Sequence, residues 1–226
     1  MQMSVSDAAR LFRVSEDTIY RWVQEDELPA ARFNDRYHFS RVRLVEWAHK
    51  RRVPFTLEGD SRQSSLEESV LRGGVRHGVS GNDKRSVFEQ VVALLPLPES
   101  TDRGYLLEML LARERQGTTG FGKGIAIPHA RDPILLRVTQ PVVMLAYLNH
   151  PIDFEAIDLQ PVFALFTMVT PTISAHLHLL SKLGSILEDP EMLRLLEARA
   201  GTEVVVTRIR HIEQDAVSSS RTQGTG

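Results

Sequence analysis

The sequence contains no cysteine, which excludes disulfides, thiolate metal sites and cysteine nucleophiles together. That absence fits a reducing compartment. No run approaches the roughly 18 apolar residues needed to cross a bilayer. The longest apolar stretch, around Pro161 to Val169, is only strand-sized. The amino terminus has no apolar signal core. No Gly-Lys-Ser or Gly-Lys-Thr loop occurs, so the usual backbone cradle for ATP is missing. Neither sign of charge predominates: 27 Lys/Arg against 29 Asp/Glu leave a formal net charge of -2, which argues against a general polyelectrolyte binder. The expectation is a soluble, cytoplasmic protein with no membrane insertion.

What is present suits two domains, since 226 residues is long for one compact unit. Charge is unevenly placed. Met1 to Thr56 carries ten Lys/Arg against eight Asp/Glu, and the remainder carries 17 against 21. The front is therefore slightly basic, in the direction expected of a nucleic-acid binder.

The front segment reads as two helices, a hairpin and a third helix. Val5, Ala8, Ala9 and Phe12 fall at helical spacing, with Ser4 or Ser6 as a cap. Ser15 caps a second helix through Ile19, Trp22 and Val23, with Glu16 and Asp17 complementing its dipole. Asn34-Asp35 tolerates positive φ and predicts a tight hairpin. Ser40 caps a third helix, which ends near Lys50 and Pro54. Residues 54–63 read as a linker.

From residue 64 the pattern predicts helices at Leu66–Arg72, Lys84–Leu95 and Gly104–Gln116. Strands are expected at Gly124–Ile127, Pro141–Leu148 and Val162–Thr170. A helix capped by Ser174 continues to Leu187, a short one covers Glu191–Ala198, and a strand or helix covers Thr202–His211. Alternating helices and buried strands indicate an α/β layered domain over 64–214. The Ser-, Thr- and Gly-containing tail, 215–226, is expected to be disordered.

Residues 1–53 are expected to form one domain, and about residues 3 to 53 resemble the MerR/excisionase-type winged helix-turn-helix family. The resemblance rests on Val-Ser-Asp-Ala-Ala-Arg-Leu-Phe-Arg-Val-Ser-Glu-Asp-Thr-Ile-Tyr-Arg-Trp-Val, on Leu28-Pro29-Ala30 and on Phe39-Ser40-Arg41. In such folds the second helix enters the major groove. The resemblance implies DNA contacts by Thr18, Tyr20 and Arg21. Arg36 and Tyr37 on the hairpin are placed for phosphate or the minor groove. Five acidic residues (Glu16, Asp17, Glu25, Asp26 and Glu27) work against phosphate, so a protein-interaction role stays open for this module.

The body holds a sharper constellation. Arg113-Glu-Arg-Gln-Gly-Thr-Thr-Gly-Phe-Gly-Lys-Gly-Ile-Ala-Ile-Pro-His129-Ala-Arg131 joins a helix end, a Gly-rich loop and a short strand. A histidine at a strand terminus is rigidly held yet open to a partner. Thr118, Thr119 and Gly120 form a candidate phosphate loop. A second cluster, Ser174-Ala-His176-Leu-His178, places His176 in the first turn of a helix, where the dipole favours an anion. A zinc site on His129, His176 and His178 lacks a carboxylate at ligand spacing, and no metal is expected. His38, His49, His77, His150 and His211 lack any constellation.

These motifs, with Leu71-Arg-Gly-Gly, Ile157-Asp-Leu-Gln-Pro-Val and His176-Leu-His-Leu-Leu-Ser, resemble the enzyme IIA domain of the fructose/mannitol type, which includes the nitrogen-regulatory phosphotransferase protein. The resemblance implies a mixed sheet flanked by helices and no cofactor. It implies that His129 accepts a phosphoryl group from a histidine-containing phosphocarrier protein, with His176 and Arg113 in support. Lys123 is given no role. Phosphoryl transfer needs positioning and charge stabilisation more than covalent machinery, so the expected activity is that of a phosphoryl-group carrier. Three readings follow: a regulator coupling phosphorylation to DNA binding, a carrier passing phosphate to a separate enzyme IIB or regulatory target, and a non-phosphorylated binding module. The oligomeric state and DNA target stay open.

Overall fold

The computed structural model describes residues 2–25, 28–33, 36–51, 53–55, 65–130 and 138–222, with the side chains at 2, 33, 36, 41, 42, 49 and 216–222 outside the described set. The chain forms two compact units, Met1–Gln63 and Ser64–Gly226. The expected linker falls almost entirely outside the described residues, as does the Asn34-Asp35 turn.

In the first unit, strand β1 (Gln2–Met3) leads into helix α1 (Val5–Phe12). Ser4 begins the helix with a reciprocal cap: its hydroxyl accepts from the Asp7 amide at 3.2 Å, and Asp7 accepts from the Ser4 amide at 3.0 Å. The Ser4 backbone and side-chain hydrogen bonds, with Arg10, hold the Asp7 carboxyl below its ordinary value. Arg13 stops the helix in the left-handed region, at φ 53°. Ser15 then caps α2 (Glu16–Gln24). Strands β2 (Ala31–Phe33) and β3 (Arg36–Ser40) pair antiparallel, and α3 (Arg41–Arg51) follows. The sequence reading missed β1, which adds to β3 to give the order β1-β3-β2. Two residues are too few to show a period. Ala8, Ile19, Leu44 and Ala48 are fully buried in one core. Phe12, Trp22 and Trp47 pack over it with ring centroids 5.3 to 5.8 Å apart.

The second unit runs α4 (Leu66–Gly73), β4 (Val75–Val79), α5 (Lys84–Leu94), α6 (Arg103–Arg115), β5 (Gly120–Gly122), β6 (Ile125–Ala126), β7 (Val142–Ile152), β8 (Val162–Val169), α7 (Ile173–Ile186), α8 (Pro190–Glu197) and α9 (Thr202–Thr222). The sheet order is β4-β7-β8-β6-β5, with parallel pairs β4–β7 and β6–β8 and antiparallel pairs β7–β8 and β5–β6. It is therefore mixed. Helices cover both faces of β7, which explains its unbroken apolar run. Met144, Ala146 and Leu148 join Phe88, Val91, Leu106 and Leu110 of α5 and α6 in one core. On the other face Gly73 at the end of α4 meets β7 so closely that an added Cβ would lie 2.1 Å from the Val143 carbonyl oxygen. That contact explains the glycine at 73, and a positive φ of 71° explains the one at 74.

Strands β4 and β5 were not expected. The interior of β4 is Arg-His-Gly, and β5 is Gly-Phe-Gly, so neither shows an apolar strand pattern. The cap of α7 is Thr172, two residues before the expected cap Ser174, its hydroxyl accepting from the Ala175 amide at 3.1 Å. Strand β8 ends at Val169, which leaves only a short turn before the helix. The segment 215–222, expected to be disordered, continues α9. No glycine or proline interrupts the chain between Gly201 and Gly224, so nothing local stops the helix. Val205 and Ile209 are buried on one stripe of α9. One turn further on, Glu213 accepts hydrogen bonds from the Ser65 hydroxyl at 3.2 Å and the Leu66 amide at 3.3 Å, and it pairs with Lys182. Glu213 thus clasps the first turn of α4.

Candidate phosphoryl site

The second unit brings the three principal candidates together. Ile125 and Ala126 of β6 pair parallel with Ala164 and Leu165 of β8. Just beyond β6 the chain stays in register: the Met168 amide donates to the Pro128 carbonyl at 2.9 Å, and His129 bridges Met168. This fixes the backbone at His129. Its Nδ1 lies 2.7 Å from the Ile127 carbonyl oxygen, and Arg113 Nε donates to its Nε2 at 3.2 Å. A nitrogen that accepts from a guanidinium carries no proton, so Nδ1 holds the ring proton and donates it to Ile127. The arrangement leaves the lone pair on Nε2.

Arg113 lies in the last turn of α6, and its Nη1 donates to the Gly117 carbonyl at 2.8 Å. The guanidinium is thus held at both edges. His176 sits at the end of the first turn of α7, and its ring centroid is 5.0 Å from that of His129 at an interplanar angle of 59°. All three side chains are buried: His129 is 3% exposed, Arg113 5% and His176 1%. The sequence reading placed His129 open to a partner; instead the His176 ring and the Arg113 guanidinium pack against it.

The expected phosphate loop is used differently. The Thr119 amide and hydroxyl both donate to Glu114 Oε2, at 3.0 and 2.6 Å. The Thr118 hydroxyl donates to the Phe154 carbonyl at 2.5 Å and accepts from the Gly120 amide at 2.9 Å. A Cβ on Gly120 would lie 2.8 Å from Ala156 Cβ, so this glycine admits close packing by Ala156. These donors satisfy protein acceptors and hold the loop's shape. Lys123 has a structural role: its amide donates to Asp158 at 2.6 Å, and its ammonium reaches the Leu187 carbonyl at 3.0 Å and Glu188 at 3.1 Å. It thereby ties the β5–β6 turn to the end of α7. His178 is half-buried. Burial and nearby Lys182 lower its pKa, with Glu213 opposing. Among the described residues no group of three His, Asp or Glu is placed to hold a metal ion.

Sequence reasoning missed Glu114. It lies beside Arg113 in the motif, but nothing local distinguishes a buried carboxylate from a solvated one at a helix end.

In the first unit, Tyr20 on α2 and Tyr37 on β3 meet edge to face, with ring centroids 6.1 Å apart. Tyr20 is 41% exposed, and Arg21 beside it is also exposed. Thr18 is half-buried, and its hydroxyl shares a hydrogen bond with the Ser15 hydroxyl at 2.9 Å, so it serves the start of α2. Arg36 lies on β3, with its side chain outside the described set. The carboxylates Glu16, Asp17 and Glu25 are exposed on the same helix or at its end.

A mixed five-stranded sheet bearing an arginine-supported histidine pair, joined to a helix-turn-helix, defines a two-part class of protein. The comparisons with known proteins agree. Residues 72–212 match the family described as phosphoenolpyruvate-dependent sugar phosphotransferase system, EIIA 2, and residues 3–52 match a helix-turn-helix domain. The chain belongs to the EIIA 2 family. It is 35% identical over 144 residues to a nitrogen regulatory protein of Pseudomonas aeruginosa, covering 62% of this chain and 91% of that one. It is 36% identical over 141 residues to the nitrogen regulatory protein of Escherichia coli, covering 61% and 85%. The crystal structure of nitrogen regulatory protein IIA-Ntr from Neisseria meningitidis superposes with a TM-score of 0.56 at 30% identity, covering 65% of this chain and 99% of that one. Among the described residues no helix is long and apolar enough to cross a membrane.

Proposed function

We propose that His129 accepts a phosphoryl group on Nε2 from a histidine-containing phosphocarrier protein, and that its phosphorylation state regulates DNA binding by the helix-turn-helix. The observation that carries this reading is the fixed tautomer of His129. Its Nδ1 proton is held by Ile127 and its Nε2 lone pair faces Arg113. Neutral imidazole is a competent nucleophile near neutral pH. In the transfer, a bond forms between Nε2 and phosphorus as the bond to the donor's ring nitrogen breaks. The electron pair of that bond returns to the donor ring. The donor thus passes from phosphoimidazolium to neutral imidazole, while His129 becomes phosphoimidazolium, its proton still on Nδ1 and still donated to the Ile127 carbonyl. Arg113 stabilises the charge on the transferring oxygens and His176 lines the site.

The regulatory part rests on the fusion of an EIIA-type domain to a helix-turn-helix in one chain. It carries over from the relatives named nitrogen regulatory protein. A second reading, onward transfer to an enzyme IIB, is favoured by a further relative, the fructose-specific EIIABC component of Bacillus subtilis, 30% identical over 145 residues.

The test is incubation with phosphoenolpyruvate, enzyme I and the phosphocarrier, comparing wild type with His129→Ala. Wild type takes up one acid-labile phosphate and the variant takes up none; equal labelling of both proteins overturns the assignment. Loss of that label to an added enzyme IIB supports the carrier reading. Altered duplex binding on phosphorylation supports the regulatory one.

A further inference from the structure

The residues that meet at Nε2 of His129 are held by a buried network that the transfer itself does not use. Its centre is Glu114, 7% exposed. Oε2 accepts from the Thr119 amide and hydroxyl, and Oε1 lies 2.9 Å from the ammonium of Lys84, the first residue of α5. Lys84 also pairs with Glu155 at 2.9 Å and lies 5.4 Å from the centroid of the Phe154 ring. Burial lowers the Lys84 ammonium, but its bonds to Glu155 and Glu114 outweigh that and hold it above its ordinary value. A carboxylate this deeply buried survives as an ion only when paired and hydrogen-bonded. Here it is both.

The network leads to the histidine by two short routes. On one side Glu114 is the neighbour of Arg113 in α6, so fixing its side chain fixes the helix end that aims the guanidinium. On the other side Thr119, held by Glu114, accepts the Ile127 amide at its carbonyl at 3.0 Å. The Ile127 carbonyl in turn takes the Nδ1 proton of His129. One carboxylate therefore sets both the charge facing Nε2 and the acceptor that chooses the tautomer. A buried network of this kind, with Oε2 hydrogen-bonded and Oε1 ion-paired, favours one arrangement.

We propose that Glu114, neutralised by Lys84, is a positioning residue for phosphoryl transfer: it holds the Arg113 helix end and the Thr119–Ile127 ladder in the register that presents Nε2 of His129 as the unprotonated nitrogen. The inference rests on the acceptor reading of His129. It goes beyond it by naming what maintains the tautomer.

The experiment uses the full chain labelled with 15N-histidine, with His129 assigned by its disappearance in His129→Ala. In wild type, the Nε2 of His129 resonates as an unprotonated nitrogen and Nδ1 as a protonated one. Glu114→Ala is expected to mix the two tautomers and to slow phosphorylation by about 10- to 100-fold, the cost of misplacing a reacting group by about an ångström. Glu114→Gln keeps an acceptor for Thr119 and is expected to recover most of both readouts. Thr119→Val, nearly isosteric, removes one bond to Glu114 and is expected to lie between; it carries the test if Glu114→Ala does not fold. A folded Glu114→Ala or Thr119→Val protein with wild-type ring nitrogens and wild-type rate overturns the proposal. If wild type itself takes no phosphate, the acceptor reading falls, and the ring nitrogens alone decide whether Glu114 positions His129.

Discussion

Arg113 Nε points at Nε2 of His129 across 3.2 Å, while Nη1 of the same guanidinium is held by the Gly117 carbonyl at 2.8 Å. The planar fork of arginine serves both contacts at once, which a lysine ammonium on its flexible stem cannot reproduce. Arg113→Lys is therefore expected to keep the positive charge and lose its aim. The initial rate of phosphate uptake should fall by about 100-fold or more, the loss typical of removing one preorganised donor from a reacting centre. A lysine variant as fast as wild type would show that charge alone suffices.

On the helix-turn-helix unit, exposed Arg21 and Tyr20 are expected to differ in how they bind DNA. Arg21→Ala should weaken binding to a generic duplex and reduce the salt slope by about one. Tyr20→Ala should weaken binding with little change of slope, because its edge-to-face contact with Tyr37 carries no charge. Fluorescence anisotropy across a series of salt concentrations separates the two. Unchanged affinity in both variants would favour the protein-interaction role.

Gly124 has a positive φ of 72°, and an added Cβ would lie 2.6 Å from the Phe163 ring. Gly124→Ala should cost about 1–3 kcal/mol, combining backbone strain with overpacking. Pairing it with Phe163→Ala should relieve the clash and leave the strain. Thermal unfolding of the single and double variants measures both parts. A Gly124→Ala protein as stable as wild type would contradict the geometry.

Asp189 caps α8 and receives two bonds from Arg208, at 2.9 and 2.7 Å. The Arg208 bonds are the main cause that holds its carboxyl below its ordinary value. A carboxyl lowered on folding stabilises the folded state above its unfolded pKa of about 3.9, and that contribution fades as pH falls toward the folded value. Asp189→Asn retains a capping oxygen and removes the charge. Its Tm should lie below that of wild type at neutral pH, with the gap closing below about pH 4. A gap that stays constant with pH would show that the charge of Asp189 plays no part.

The sequence was informative where periodicity and motif coincide. Ser15 could be read as the cap of α2 because a short polar residue before two acids and an apolar stripe has one common use. His129, Arg113 and His176 were singled out by their motifs, and the fold brings them together. Roles that depend on long-range contact were not legible. Thr118 and Thr119 look like anion ligands in one dimension; only the return of the chain at Phe154 and the burial of Glu114 turn their hydroxyls inward. Strand β4 escaped because its pairing with β7, rather than its own residues, makes it a strand. The length of α9 escaped because serines and threonines raise the expectation of disorder, while the anchoring of its middle by Val205, Ile209 and Glu213 is visible only in three dimensions.

The clasp between Glu213 and the start of α4 joins residues 148 apart in sequence. During synthesis the phosphoryl site is therefore complete as a list of residues before the domain can lock. Arg113, His129 and His176 have all been made while the first turn of α4 still lacks its carboxylate. Until α9 is added, a nascent chain holds an unfastened acceptor domain behind a helix-turn-helix that has its own core. Order of translation thus separates the two units in time: the helix-turn-helix can fold once its own core has been made, and the EIIA-type domain can fasten only after α9 is added.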